Sequence, residues 1–173
     1  MNIALIGYRG TGKTTIGTLL SKKLDKKLVS TDSEFAKKTK LSIDKYIKKH
    51  GWERFRELES QIVEKVSEFD DCIIDAGGGI VERNENVVNL KRNSLVVLLT
   101  SDVKTITARL KSDKPRPALT KGNYLTEVEK VLLLREPRYR KAADFAIDTS
   151  RLSPAETCEL IIHYYQSEIE LIK

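Results

Sequence analysis

The sequence predicts an α/β fold in which a parallel five-stranded sheet lies between two layers of helices. Short apolar runs alternate with amphipathic helical stretches along the chain, and this alternation is typical of a parallel sheet covered on both faces. A glycine-rich segment carrying a lysine and a threonine directly follows the first run. The predicted strands are Asn2 to Ile6, Lys27 to Ser30, Cys72 to Asp75, Ser94 to Leu99 and Phe145 to Asp148.

The segment after the first strand matches the phosphate-binding spacing G-x-x-x-x-G-K-[ST] from Gly7 to Thr14. Its glycines let backbone N–H groups converge on an anion, its lysine serves the β- and γ-phosphates, and its hydroxyl ligates Mg²⁺. The sequence therefore predicts a P-loop that binds ATP and Mg²⁺, with Thr14 as a metal ligand. The predicted nucleotide ligands in this loop are Gly10, Thr11, Gly12, Lys13, Thr14 and Thr15.

A helix from Thr15 to Leu24 is predicted next, because its apolar residues recur at helical spacing. Its positive N-terminus would point at the phosphates. The alternative, a glycine-rich turn without a ligand, does not account for strand, loop and helix in this order.

Residues 31–70 separate the second strand from the third and are too many for a plain crossover. They predict three helices, Ser33 to Lys40, Ser42 to Lys49 and Trp52 to Phe69. We expect them to form an inserted subdomain that builds a second binding site beside the nucleotide. Residues 111–124 contain two prolines and no apolar period, which indicates a mobile lid or, alternatively, an ordinary surface loop.

Two carboxylates follow predicted strands and are candidates for phosphoryl-transfer chemistry. Asp75 ends a short apolar strand, as the acid of a Walker B motif does, and is predicted to reach the Mg²⁺ shell through water. Asp32 follows the second strand and would then serve the acceptor hydroxyl. An aspartate after a strand can also be a simple helix cap. Gly77, Gly78 and Gly79 allow the backbone to approach a ligand closely.

Two arginines interrupt apolar helical stretches and therefore need partners. Arg56 has Glu59 three residues later, and Arg135 lies near the expected end of a helix before Pro137. A bidentate grip on a substrate carboxylate would satisfy each guanidinium, and a structural salt bridge is the alternative.

Composition bounds the function further. The 173 residues form one domain, and 31 basic against 25 acidic residues give a net charge of +6. The lysines alternate with apolar positions in helical stretches. This pattern favours solvent-exposed helix faces and argues against a continuous basic surface that binds nucleic acid. No apolar run is long enough to cross a bilayer, and Met1 is followed at once by a predicted strand, so we do not expect a leader. We expect a cytoplasmic monomer with small-molecule substrates and no nucleic-acid or membrane partner, and Cys72 and Cys158 as core residues.

Taken together, these motifs resemble the shikimate kinase family in order and spacing from Met1 to about Pro154. The residues that carry the resemblance are Gly7 to Thr14, Thr31-Asp32, Leu41-Ser42-Ile43, Gly51 to Glu59, Gly77 to Gly79, Arg116-Pro117 and Arg135 to Tyr139.

The resemblance implies a single P-loop kinase domain, 1–173, that transfers the γ-phosphoryl group of ATP to the 3-hydroxyl of shikimate in aromatic amino-acid biosynthesis. It implies that Asp32 binds the acceptor hydroxyl and that Arg56 and Arg135 hold the shikimate carboxylate, with backbone from Gly77 to Gly79 in the same pocket. It further implies that Lys13 binds the phosphates and that Arg116, in the lid, neutralises charge on the transferring phosphoryl group. Arg109 and Pro154 would flank the adenine.

Several residues depart from the family pattern. Ser30 stands where the family has the first acid of Asp-x-Asp, and Asp75 stands where it has a small residue. We hypothesise that Asp75 supplies the outer-shell carboxylate that Ser30 lacks. Trp52 replaces a glutamate and Ala118 a leucine, with an unassigned effect on lid closure or substrate fit.

Two other functions stay open. A related small-molecule kinase, for gluconate or a nucleotide, would share the P-loop but not the acceptor. A silent ATP- or shikimate-binding regulatory domain would tolerate Ser30, although the retained candidate catalytic residues argue against it.

Overall fold

The computed structural model describes residues 1–112 and 124–172. The strands within these ranges are β1 (Asn2–Ile6), β2 (Lys27–Ser30), β3 (Cys72–Asp75), β4 (Ser94–Thr100) and β5 (Phe145–Asp148). The helices are α1 (Lys13–Leu24), α2 (Thr31–Thr39), α3 (Ile43–Ser67), α4 (Asn84–Lys91), α5 (Val103–Ser112), α6 (Tyr124–Ala142) and α7 (Pro154–Ile172), with a short 3-10 turn at Ile80–Glu82.

The five strands form one parallel sheet in the order β2-β3-β1-β4-β5. Successive residues of each strand point to opposite faces, so each central strand feeds two cores. In β1, Ala4 and Ile6 join a core with helices α2, α3, α4 and α6, whereas Ile3 and Leu5 join a core with α1 and α7. The three-layer arrangement predicted from the sequence is confirmed.

The polypeptide between β2 and β3 is helical, as expected, but it forms two helices by hydrogen bonding. Helix α3 contains a break at Gly51, whose φ of 85° and ψ of 167° are not helical. Glycine adopts this conformation without a steric penalty, and the break separates the segment into the second and third helices that the sequence predicted. Ser42 caps the first of them by accepting a hydrogen bond from the Lys45 amide at 3.3 Å.

The expectation that the helix carrying Arg135 ends before Pro137 is wrong. Helix α6 runs on to Ala142 with Pro137 inside it. Proline removes the bond to the carbonyl four residues earlier, which belongs to Leu133. Leu133 is 76% exposed, so this part of the helix faces water. A water molecule can donate a hydrogen bond to the Leu133 carbonyl in place of the N–H that proline lacks.

The C-terminal helix α7 begins as the sequence predicts. Ser153 and Glu156 form a reciprocal capping box, with a 2.8 Å bond from the Ser153 amide to the Glu156 carboxylate and a 3.2 Å bond from the Glu156 amide to the Ser153 hydroxyl. Cys72 and Cys158 are buried thiols, as expected. None of the described helices has the length and apolar character that a bilayer crossing needs.

Candidate active site

The P-loop connects β1 to α1 and wraps the side chain of Lys13. Gly12 precedes the helix with a φ of 96°, a left-handed conformation that favours glycine. The Lys13 ammonium donates hydrogen bonds of 2.9 Å to the carbonyl oxygens of Gly7 and Tyr8. The lysine is thus held across the loop, close to where the helix N-terminus presents its amides.

A cavity of about 630 Å³ opens above this loop at the carboxyl ends of the strands. Its lining includes every residue that the sequence predicts for nucleotide binding within the described part of the chain. These residues are Gly10, Thr11, Gly12, Lys13, Thr14, Thr15, Arg109 and Pro154. Arg116 lies outside the described residues, as does nearly all of the 111–124 segment expected to form the lid; Ala118 is also outside.

Arg109 is anchored at one side of this cavity by three hydrogen bonds. Its Nη1 donates to the Gly10 carbonyl at 3.2 Å and to the Thr149 hydroxyl at 3.0 Å, and its Nη2 donates to the Thr149 carbonyl at 2.8 Å. The Thr149 hydroxyl also lies 2.9 Å from the Thr11 carbonyl oxygen. Thr149 therefore ties Arg109 to the P-loop. No local pattern in the sequence predicts this role.

Thr14 and Asp75 meet at the edge of the same cavity. The Thr14 hydroxyl donates a 2.7 Å hydrogen bond to Oδ2 of Asp75. Ser30 is the register partner of Asp75 on the neighbouring strand, so the two positions do lie on adjacent strand ends. The Ser30 hydroxyl accepts a 3.4 Å bond from the Ser33 amide and so caps α2.

A smaller cavity of about 110 Å³ adjoins the larger one. Four residues line both, namely Arg9, Asp32, Gly77 and Gly78. Asp32 lies in the first turn of α2 and is placed against the glycine triplet by its neighbour Thr31, whose hydroxyl accepts a 2.8 Å bond from the Gly77 amide. A side chain at Gly77 would put its Cβ 3.0 Å from Oδ1 of Asp32.

Arg56 lies on the wall of the smaller cavity and is only 13% exposed. Its Nη1 donates a 2.6 Å bond to Glu59, and its guanidinium lies 5.4 Å from the Trp52 ring centroid and 5.1 Å from that of Phe55. Burial raises the pKa of the Glu59 carboxyl, while the charge and hydrogen bond of Arg56 oppose that rise. The salt bridge with Glu59, which the sequence left open as an alternative for Arg56, is present.

Arg135 lies beside Arg56 on the same cavity wall, although it belongs to a different helix. Its Nε donates a 2.6 Å bond to Glu82, and its Nη1 donates a 3.2 Å bond to the Gly78 carbonyl. Burial raises the pKa of Tyr139 to about 12, so its hydroxyl stays protonated and donates to the same carbonyl. The structure thus brings both predicted arginines and the glycine triplet together.

Glu82, which contacts both arginines of this wall but does not line the cavity, is not predicted from the sequence. It belongs to the 3-10 turn after the glycines, in a stretch with no chemical pattern of its own. Only tertiary contacts with α3 and α6 reveal it. Among the described residues, no group of three or more His, Cys, Asp or Glu side chains is placed to hold a metal ion.

Comparison with known proteins gives one consistent family. The model of the family described as shikimate kinase matches residues 9–166. A shikimate kinase of Caldicellulosiruptor bescii is 42% identical over 161 residues, which is 93% of each chain. The solved shikimate kinase from Acinetobacter baumannii in complex with shikimate superposes with a TM-score of 0.91 at 29% identity, covering 96% of this chain and 93% of that one. The enzyme from Aquifex aeolicus gives a TM-score of 0.80 at 28% identity, covering 98% of both chains.

Proposed function

This chain belongs to the shikimate kinase family, and on that premise we propose that it transfers the γ-phosphoryl group of ATP to the 3-hydroxyl of shikimate, giving shikimate 3-phosphate and ADP. The observation that carries the proposal is the pair of adjoining cavities. The larger one is lined by the P-loop, the smaller one by two arginines, and Asp32 lies at their junction.

In the larger cavity, backbone amides of the loop from Gly10 to Thr14 would bind the phosphates, and Lys13 would exchange its bonds with loop carbonyls for bonds with phosphate oxygens. Thr15 would contact the phosphates from the first turn of α1. Arg109 and Pro154 would flank the adenine, since both line the same cavity. Arg116 is proposed to neutralise the transferring group.

The Thr14 and Asp75 oxygens fit a Mg²⁺ site, because this ion takes oxygen ligands and usually binds one or two protein groups together with phosphates. We propose that Thr14 would hold it directly and Asp75 through water. Bound there, the ion would neutralise charge on the β- and γ-phosphates.

In the smaller cavity, Arg56 and Arg135 would grip the shikimate carboxylate, and the backbone from Gly77 to Gly79 would border the ring. Asp32 would orient the 3-hydroxyl and accept its proton as the oxygen attacks the γ-phosphorus. An acceptor bound in this way would lie between the arginines and the phosphates, as in-line transfer requires.

We also propose that the chain works as one kinase domain, with residues 31–70 forming the acceptor side and residues 111–124 closing over the phosphates. The enzyme would act as a cytoplasmic monomer on small molecules, without a nucleic-acid or membrane partner. Ion pairs on the helix surface support the view that the basic stretches are solvated faces. The Nζ atom of Lys37 lies 2.7 Å from a carboxylate oxygen of Glu34, and that of Lys48 lies 3.0 Å from a carboxylate oxygen of Asp44.

The test is a coupled ADP-release assay with ATP and Mg²⁺, run in parallel with shikimate, gluconate and nucleoside monophosphates. We expect ADP release in the run with shikimate and none in the runs with the other acceptors. Release with gluconate or a nucleotide, and none with shikimate, would assign a different acceptor. Binding of ATP and shikimate without turnover would indicate a silent regulatory domain.

A further inference from the structure

Glu82 contacts arginines from two different helices. Its Oε1 accepts the 2.6 Å bond from Nε of Arg135 and also pairs with Nη2 of that residue. The same oxygen lies 3.9 Å from Nη2 of Arg56, and Oε2 lies 3.7 Å from Nη1 of Arg138. Among the described residues, Glu82 is the carboxylate that lies within 4 Å of both arginines of the smaller cavity.

These contacts restrict how Arg135 can present its donors. Glu82 occupies the edge formed by Nε and Nη2, and the Gly78 carbonyl takes one hydrogen of Nη1. A guanidinium has five N–H donors, so one hydrogen on each terminal nitrogen remains beyond these described contacts. Donors on the terminal nitrogens can still reach a carboxylate in the cavity that Arg135 lines.

Glu82 approaches the arginines from outside the cavity. Arg56 and Arg135 both line the smaller cavity, but Glu82 does not. Its carboxylate is therefore not a substitute for an acceptor in the pocket. We propose that Glu82 is a positioning residue that holds Arg135, and at longer range Arg56, with their donors directed at the acceptor carboxylate. This inference rests on the proposed function.

Two effects of removing Glu82 oppose each other. Loss of a negative charge would favour a carboxylate ligand by electrostatics, whereas loss of the bonds to Arg135 would let the guanidinium turn away from the pocket. The side chain of Glu82 is 33% exposed, so water screens its charge. The orienting bonds are short and charge-assisted, and their loss dominates.

The test compares Glu82→Ala and Glu82→Gln with Glu85→Gln, an exposed glutamate three residues later that pairs with Arg83. Steady-state kinetics should show a KM for shikimate about tenfold higher in Glu82→Ala, which is the effect of one lost charge-assisted contact. We expect kcat and the KM for ATP to stay unchanged. Glu82→Gln keeps an acceptor oxygen and should show roughly a threefold rise, and Glu85→Gln should match the wild type.

A double-mutant cycle with Arg135→Ala separates positioning from general damage. If Glu82 acts through Arg135, Glu82→Ala should raise the KM less than about twofold further in that background. A lower or unchanged KM in Glu82→Ala, or a full tenfold effect without Arg135, would overturn the inference. If Glu82→Ala does not fold, the same comparison is made with Glu82→Gln. Absence of shikimate turnover in the wild type would instead refute the proposed function itself.

Discussion

The hydroxyl of Thr14 donates a 2.7 Å hydrogen bond to the carboxylate of Asp75, across the P-loop from the end of β3. In this structure the acid beside the predicted metal ligand thus comes from β3. Ser30, its register partner on β2, has no charge and caps a helix instead. Because the two positions are adjacent, we expect a carboxylate at either one to reach the water shell of the proposed Mg²⁺ ion.

This relationship predicts that the carboxylate can be moved between the strands. Asp75→Ser should lower kcat by about a hundredfold and raise the Mg²⁺ concentration needed for half-maximal rate, since an outer-shell partner typically contributes 10- to 100-fold. Ser30→Asp combined with Asp75→Ser should recover most of the loss. Aspartate is also a good N-cap, so the start of α2 is preserved. If both variants fold and the kcat of the double variant is no higher than that of Asp75→Ser, this hypothesis is wrong.

Arg56→Ala should weaken shikimate binding and leave ATP binding nearly intact. Loss of a charge-assisted bidentate contact corresponds to about 2–3 kcal/mol, or roughly 30- to 150-fold in Kd. Isothermal titration with each ligand measures the two affinities separately. Arg54→Ala, which removes an exposed arginine from the same helix, is the matched control. An equal loss of both affinities would mark Arg56 as a structural residue.

Gly79→Ala should impair the acceptor site through Arg56. An ideal Cβ at this position would lie 2.1 Å from Nη1 of Arg56, so the guanidinium has to move. The backbone itself, with a φ of −101°, accepts alanine without strain. We expect the KM for shikimate to rise about tenfold with little change in the free energy of unfolding.

Gly51→Ala provides the contrasting case for chemical denaturation. Nothing lies within 4 Å of its added Cβ, but its φ is +85°, where alanine is strained. This variant should lose about 1–3 kcal/mol of unfolding free energy, because ψ is 167° and this backbone region is nearly exclusive to glycine. Equal stability losses in the two variants would contradict the steric account of Gly79.

The pH dependence of shikimate binding should report on Glu59. Burial raises the pKa of this carboxyl, so the neutral form is reached at a higher pH than for an exposed glutamate. As pH falls through that raised pKa, Arg56 loses its charged partner. The KM for shikimate should therefore rise as the pH falls through that raised pKa, while a substrate carboxylate with an ordinary pKa is still ionised.

Glu59→Gln removes this titration. The KM of this variant for shikimate should be higher than that of the wild type at neutral pH, and it should stay flat over the pH range in which the wild-type KM rises. The raised pKa also means that the wild type gains unfolding free energy as pH falls through it, because the folded state then binds more protons than the unfolded state. A wild-type KM that parallels that of Glu59→Gln at every pH would exclude Glu59 as the source.

Much of the fold and of the nucleotide site follows from the sequence alone. Strand and helix periodicity, the P-loop spacing and the Ser153 capping box are local patterns, and their physical causes act within a few residues. The pairing of Arg56 with Glu59 is likewise a contact within one helical turn. Local spacing was therefore sufficient to predict these elements.

The tertiary structure determined which distant groups complete the candidate site. Three separate elements supply the cluster of Glu82, Arg56 and Arg135. Two other contacts, Thr149 with Arg109 and Thr14 with Asp75, also join residues that are far apart in the chain. Only parallel pairing, which brings strand ends to one edge of the sheet, and packing of helices across it create these contacts. A charge or hydroxyl carries no local signal of the partner it will meet, because that partner is chosen by the packing of the whole chain.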